Sequence, residues 1–325
     1  MLQVTYLAYD GCKYSGILAL QDTFEIADFW AKTLLKHQYK PIFSSRVVTV
    51  TGDPVQTDKN ILIQPDLPLS KATQSRIIVI PAYLPQVTSM PDNINKITHW
   101  LNREYQSKAY IATLCTGSFI LASSGLLNGK KATTNWQYTR AFKKNYPEVE
   151  LIPEKMITED RRLICSGSAT ALFSLGLHLI EKFGSPELAA LTSKSMLIDP
   201  NRTSQMPYTV FDLNRHHQDD NIAKTQHWME ANHAAPITIE NAADYSGISS
   251  RHFKRRFKQA TGETPFVYLQ KIRVESAKKL LEKTDMNINE ITIKVGYEDA
   301  STFRRMFKKY VSLSPREYRD KFSSA

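Results

Sequence analysis

Along residues 1–200, short β-branched and aromatic runs (VTYLAY, SSRVVTV, RIIVIPAYL, AYIATLC) alternate with stretches whose apolar residues recur every three to four positions, such as LALQDTFEIADFWAKTLLKH and INKITHWLNREYQ. Near-continuous apolar strands are those buried on both faces. The alternation therefore predicts an α/β domain with a mostly parallel sheet and helices on both faces, a flavodoxin-like three-layer sandwich. ITEDRRLICSG reads as a hairpin with a charged turn, followed by a helix through TALFSLGLHLIEKFG and another from Pro186. The segment DPNRTSQMPYTVFDLNRHHQDDN is polar and interrupted by Pro, so it reads as a solvated linker, with a helix starting near Asp219 or Asp220. Beyond it the periodicity is helical, which predicts an all-α C-terminal domain. The expected division is 1–200, a linker over 201–220, and 221–325.

The last third contains an internal repeat. Shifted by fifty positions, Phe253 and Phe257 fall on Phe303 and Phe307, and Lys254, Arg255 and Lys258 fall on Arg304, Arg305 and Lys308. Thr264-Pro265 matches Ser314-Pro315, and Tyr268 matches Tyr318. One supersecondary unit is used twice. In the first copy Thr238 caps a short helix, Gly247 supplies the turn, and Ser249 or Ser250 caps a second helix that ends at Gly262. In the second copy the turn is at Gly296 and Asp299 is the cap. TPFVYLQKIRVESAKKLLEK has no internal Gly or Pro and reads as one connecting helix. In each second helix the Phe pair makes the buried stripe, and the other faces are basic with no acid among them: Arg251, Lys254, Arg255, Lys258 and, further round, Arg256. Short helices of this kind, each held by a Gly turn, suit the major groove of double-stranded DNA, about 12 Å wide.

Charge supports that reading. The chain has 42 Lys+Arg against 32 Asp+Glu, a formal net charge of +10, and residues 220–325 hold 19 of the basic and 13 of the acidic side chains. Polyanions are therefore plausible partners. No stretch approaches the ~18 consecutive apolar residues of a membrane span, and no secretion signal is evident at the N-terminus. The three cysteines, Cys12, Cys115 and Cys165, have no metal-like spacing, which points to a reducing cytoplasm and calls for no cofactor.

ISSRHFKRRFKQATGETPFVYLQKIRVESAKKLL followed by VGYEDASTFRRMFKKYVSLSPREYR resembles the AraC/XylS family of transcription regulators over about ninety residues. The resemblance implies a seven-helix domain whose two recognition helices enter successive major grooves. It places base-reading side chains at Arg251, Lys254 and Arg255, and at Ala300, Ser301, Arg304 and Arg305. Ala300 cannot hydrogen-bond a base, so the second unit is expected to anchor more than it reads. Arg255 is the candidate for a bidentate guanine contact, and Lys258, Lys308 and Lys309 are phosphate candidates.

The chemistry-bearing stretch of the first domain is AYIATLCTGSFILASSGLL, a strand running into Cys115, then Thr116-Gly117, then a helix. Such a corner places a thiol at the carboxyl ends of the strands beside a helix N-terminus, where it can be acidified and where N–H groups can hold an anion. With GLLNGKKATTNW and LICSGSATALFSLGLHLIEKFGSPELA, it resembles the PfpI-type, class I glutamine amidotransferase-like superfamily, and more closely the N-terminal domain of GlxA-type AraC regulators. That resemblance covers about residues 3–200.

Enzymes of the superfamily use a Cys, a downstream His and often an acid from the first helix. Here Asn135 stands at the His position and Ala19 at the acid position, with Asp22 and Glu25 nearby; His99, His178 and His216-His217 are the other histidines to weigh. An amide is no general base at neutral pH. The expectation is a non-catalytic sensing and dimerisation domain with a pocket at Cys115, Thr116, Gly117, Asn135 and Trp136. The resemblance suggests an amino acid or nitrogenous metabolite as effector, a homodimer on repeated half-sites, and RNA polymerase as partner of an activator. The alternative from another class is an amidase or peptidase-like hydrolase with Cys115 as nucleophile.

Overall fold

The computed structural model describes residues 1–35, 39–83, 90–211 and 217–323. The chain forms two compact units, Met1–Gln205 and Met206–Ala325. In the first, the strands in chain order are β1 (Leu2–Leu7), β2 (Phe43–Thr49), β3 (Val55–Gln56), β4 (Leu62–Ile63), β5 (Leu67–Pro68), β6 (Ile77–Ile80), β7 (Tyr110–Thr113), β8 (Lys131–Ala132), β9 (Glu150–Leu151), β10 (Ile157–Asp160) and β11 (Leu163–Ser166). Seven of them make one sheet in the order β10-β11-β7-β6-β1-β2-β5, parallel throughout except for the β10–β11 hairpin. That hairpin is the one expected from ITEDRRLICSG, and Arg161 at its tip takes a positive φ of 58°.

From β1 the chain steps through α1 (Tyr14–Leu35) to β2; from β6 it steps the opposite way through α2 (Ile94–Gln106) to β7. Right-handed crossovers then put α1 and α2 on opposite faces of the sheet. The short α3 (Gly117–Ser123) packs with α2, whereas α5 (Ala171–Phe183) and α6 (Pro186–Ser195) pack with α1; α4 (Thr139–Asn145) lies between α3 and α5 in sequence. Covered on both sides, β6, β7 and β11 are almost wholly buried, which explains their unbroken apolar runs. The direction of crossover reverses between β1 and β6, and the carboxyl ends of the strands beside such a reversal are where open α/β sheets hold ligands.

The second unit has seven helices among its described residues: α7 (Asp220–Asn232), α8 (Ile239–Ser246), α9 (Ser250–Thr261), α10 (Pro265–Lys283), α11 (Ile288–Lys294), α12 (Ala300–Val311) and α13 (Pro315–Phe322). It holds two separate apolar clusters, one around Phe253, Phe257 and Tyr268 and the other around Phe303, Phe307 and Tyr318. The fifty-residue repeat extends to detail. Tyr268 stands 5.2 Å from Phe257, edge to face, and donates its hydroxyl to Glu230 at 2.7 Å; Tyr318 stands 5.5 Å from Phe307 and donates to Glu282 at 2.5 Å. Ser312, at the position matching Gly262, takes the same left-handed conformation, φ 64° against 84°.

The segment expected to be a linker is not one solvated tether. Ser204 bridges to Lys155, the Met156 N–H donates to the Thr203 carbonyl at 2.9 Å, and Gln205 is buried. The Gln205 Nε2 amide donates to the carbonyls of Thr134, Pro153 and Lys155 at 2.9–3.0 Å. Past this anchor, Met206–Tyr208 forms a 3₁₀ turn in the second unit, where Phe211 packs against the second apolar cluster. His217 is structural too. Its Nδ1 accepts from the Asp219 N–H at 3.2 Å and its Nε2 meets Gln226 Oε1 at 2.8 Å, which fixes the start of α7. His216 lies outside the described residues.

Candidate functional site

Each helix-turn-helix pair is set by local chemistry. Thr238 and Asn241 form a capping box at α8, Gly247 turns the chain at φ 70°, and Ser249 stands at the N-cap of α9 without a side-chain cap bond. In the second pair Asn287 and Glu290 form the box at α11, and Asp299 Oδ1 caps α12 by accepting from the Thr302 N–H at 2.7 Å. That backbone hydrogen bond, with the Thr302 hydroxyl, holds the Asp299 carboxyl below the usual range.

With Phe253 and Phe257 buried, α9 leaves Arg251, Lys254, Arg255 and Lys258 exposed. With Phe303 and Phe307 buried, α12 likewise exposes Ser301, Arg304, Arg305, Lys308 and Lys309, while Ala300 is half-buried. Arg256 does not join its neighbours. Its Nε and Nη2 donate to both carboxylate oxygens of Asp219, the N-cap of α7, at 3.0 and 2.8 Å. Lys254 meets Glu240 at 3.4 Å, but both side chains are more than half exposed, so the pair is weak.

The two pairs are locked together by residues that the repeat does not single out. Arg273, in the connecting helix α10, donates to the carbonyls of His233 and Ala235 at 2.9 and 3.1 Å, and its guanidinium lies 5.5 Å from the centre of the Tyr297 ring. Tyr297 donates to Gln270 at 2.6 Å. Gly296, at φ 89°, is so close to the loop after α7 that a Cβ there would lie 2.6 Å from the His233 carbonyl oxygen. These contacts tie the loop after α7 to α10 and to the turn ahead of α12.

In the first unit the corner after β7 is strained. Cys115 has φ 51°, a left-handed conformation that a non-glycine residue adopts at a cost of about 1–3 kcal/mol. Its N–H donates to the Ser166 carbonyl at 3.0 Å, and its carbonyl accepts from the hydroxyls of Ser118 and Thr134 at 3.0 and 3.3 Å. Thr116 and Gly117 are buried. The Thr116 hydroxyl donates to the Tyr83 carbonyl at 2.6 Å and accepts from the Tyr83 N–H at 3.0 Å, so it ties β7 to the end of β6. A Cβ on Gly117 would lie 2.6 Å from the Ile80 carbonyl oxygen. Cys115 as a residue is 6% exposed.

Burial pushes the Cys115 thiol up, against the opposing pull of the Asn135 side chain and of the Thr116 N–H and hydroxyl. Asn135 therefore stands beside the thiol as a hydrogen-bonding amide, while its Oδ1 accepts from the Gln137 N–H at 2.9 Å. Trp136, in the next turn, is half-buried. Sequence reasoning missed three tyrosines here. Tyr9, just past β1, donates to the Pro81 carbonyl at 2.7 Å and meets the Tyr83 ring edge-on; Tyr138 is a further phenol near Cys115. The carboxylates considered for the acid, Asp22 and Glu25, are exposed on α1. His178 is bound to Glu159 at 2.7 Å on α5.

Comparison with known proteins assigns both units. The model of a helix-turn-helix domain matches residues 242–321, and that of the DJ-1/PfpI family matches residues 34–182. The chain is similar to the HTH-type transcriptional regulator CdhR of Pseudomonas aeruginosa, 23% identical over 86% of this chain and 82% of that one. It is also similar to the HTH-type transcriptional regulator GlxA of Rhizobium meliloti, 23% identical over 66% of each chain. Among solved structures, an AraC family transcriptional regulator from Pseudomonas putida shares the fold over 60% of this chain and 100% of its own, with a TM-score of 0.51 and 16% identity.

Proposed function

Because this chain is a DNA-binding transcriptional regulator that joins a DJ-1/PfpI domain to an AraC-type helix-turn-helix domain, we propose that its two units divide the work between reading DNA and sensing a small molecule. The observation that carries the first half is the pair of matched helices α9 and α12, each with a buried Phe pair and an exposed basic face. Arg251, Lys254, Arg255, Ser301, Arg304 and Arg305 read base edges; Lys258, Lys308 and Lys309 hold phosphates. A homodimer carries four such helices and binds repeated half-sites, each pair about one helical turn (~34 Å) apart. It works in the cytoplasm at the nucleoid, as an activator that engages RNA polymerase. Enrichment of a paired half-site motif from random duplex DNA by the full chain is the direct test.

The Cys115 corner is the sensing site, with Asn135 beside the thiol and Trp136 next to Asn135 in the chain, and its effector is an amino acid or a related nitrogenous metabolite. Catalysis is not part of this reading. Asn135 offers no base, and a thiol pushed up by burial carries less thiolate at neutral pH, not more. The expected result is that iodoacetamide alkylates Cys115 in the folded chain at pH 7 more slowly than it alkylates free cysteine, and that the rate climbs only as pH passes the ordinary thiol range. Alkylation faster than free cysteine at pH 7 would reopen the hydrolase reading.

A further inference from the structure

The first unit has a cavity formed by β10, α5, α6 and residues 198–203. It encloses about 660 Å³, inside the range of roughly 300–1,000 Å³ typical of small-molecule sites. Its floor is apolar, with Met156, Leu177 and Ala189 buried and Ile198 half-buried. Its rim is basic: Lys155, Lys194 and Arg202 reach it from three different segments. Among the described residues, Lys155 and Lys194 have no carboxylate within 4.0 Å, and Arg202 donates to the Thr170 hydroxyl at 2.8 Å. His178, also on the lining, is already held by Glu159, which takes Lys182 as well at 3.0 Å. Glu181 is the one carboxylate among the lining residues, and it is exposed.

We propose that this cleft binds a small amphiphilic anion, a carboxylate on an aromatic ring or a medium-length alkyl chain. The apolar body covers Met156, Leu177 and Ala189, and the carboxylate meets Lys155 and Lys194 in charge-assisted hydrogen bonds. A cation or a zwitterion would bring an ammonium against Lys155 and Lys194, and a neutral oil would leave both without a counter-charge. One wall of the cleft is the stretch from Arg202 to Thr203, directly ahead of the Gln205 anchor, so an occupant bears on the residues by which the chain leaves the first unit. The site is separate from the Cys115 corner and stands or falls independently of it.

The test is calorimetric titration of the full chain with octanoate, with octylamine as the charge-reversed control. Octanoate is expected to bind saturably at one per chain and octylamine not at all. K155E/K194E, at two exposed positions, is expected to weaken octanoate by about tenfold or more, the loss of a hydrogen bond to a charged group. A190W, which fills the cleft from another exposed position, is expected to abolish binding, and C115S to leave it unchanged. Absence of saturable octanoate binding, or binding indifferent to both cleft variants, overturns the proposal. Loss in C115S alone assigns the anion to the corner and overturns it too. Variants that change self-association without any anion binding would give this face to a second copy of the chain instead.

Discussion

Replacing Arg255 and Arg305 together by Ala is expected to lower affinity for the selected operator by about 2–6 kcal/mol, roughly thirty-fold to twenty-thousand-fold. Each arginine stands on the exposed face of its own helix, α9 or α12, at equivalent repeat positions. Each bidentate contact to a base is worth about 1–3 kcal/mol, and contacts in separate grooves add. Arg256 is the internal control. Adjacent in sequence and equal in charge, it is committed to Asp219 at 2.8 Å. Arg256→Ala should leave base selectivity intact and cost no more than about 1 kcal/mol of stability, because the pair is part-exposed. Fluorescence anisotropy with operator and scrambled duplexes separates the two cases. Equal losses on both duplexes would mean that Arg255 and Arg305 act as phosphate anchors rather than as readers.

Gly117→Ala is expected to be the most damaging single change in the first unit. The added methyl would stand 2.6 Å from the carbonyl oxygen of Ile80 and 2.7 Å from that of Pro81. Both are backbone atoms at the end of a central strand and cannot swing aside. Either α3 lifts from the sheet or the end of β6 moves, and the Thr116–Tyr83 pair of hydrogen bonds goes with it. A loss above about 3 kcal/mol is expected, beyond the usual range for overpacking, against a total stability of about 5–15 kcal/mol for an ordinary domain. Gly125→Ala is the comparison. It has a positive φ of 76° but nothing within 4 Å of the added methyl, so it should cost only about 1–2 kcal/mol. Urea titration followed by circular dichroism measures both; equal losses would show that the end of β6 and the start of α3 give way cheaply to the added methyl.

What the sequence disclosed is what neighbours along the chain decide. The helix-turn-helix pairs were legible because caps, Gly turns and Phe spacing all act within a dozen residues, and the fifty-residue repeat made each copy a check on the other. The strand-to-helix corner at Cys115 was legible for the same reason. What stayed hidden depends on partners that only the fold brings together. Arg256 reads as one more cation of a basic face until Asp219, thirty-seven positions away, claims it. Tyr9 and Tyr83 follow different strands and meet only because β1 and β6 are neighbours. Gln205 sits in a Pro-interrupted polar stretch. That composition signals irregular backbone but says nothing about burial, and one amide facing three carbonyls is enough to bring it inside. Arg273 hides in the middle of a helix whose periodicity is satisfied without it.

The central claim is that α9 and α12 read DNA as a fixed pair, and selection of random duplex DNA by the purified full chain, repeated at two salt concentrations, tests it most directly. The account predicts an enriched motif with two reads about one helical turn (~34 Å) apart, with affinity that falls steeply as salt rises. A folded chain that enriches no motif at either salt, with or without added amino acids or octanoate, would contradict it.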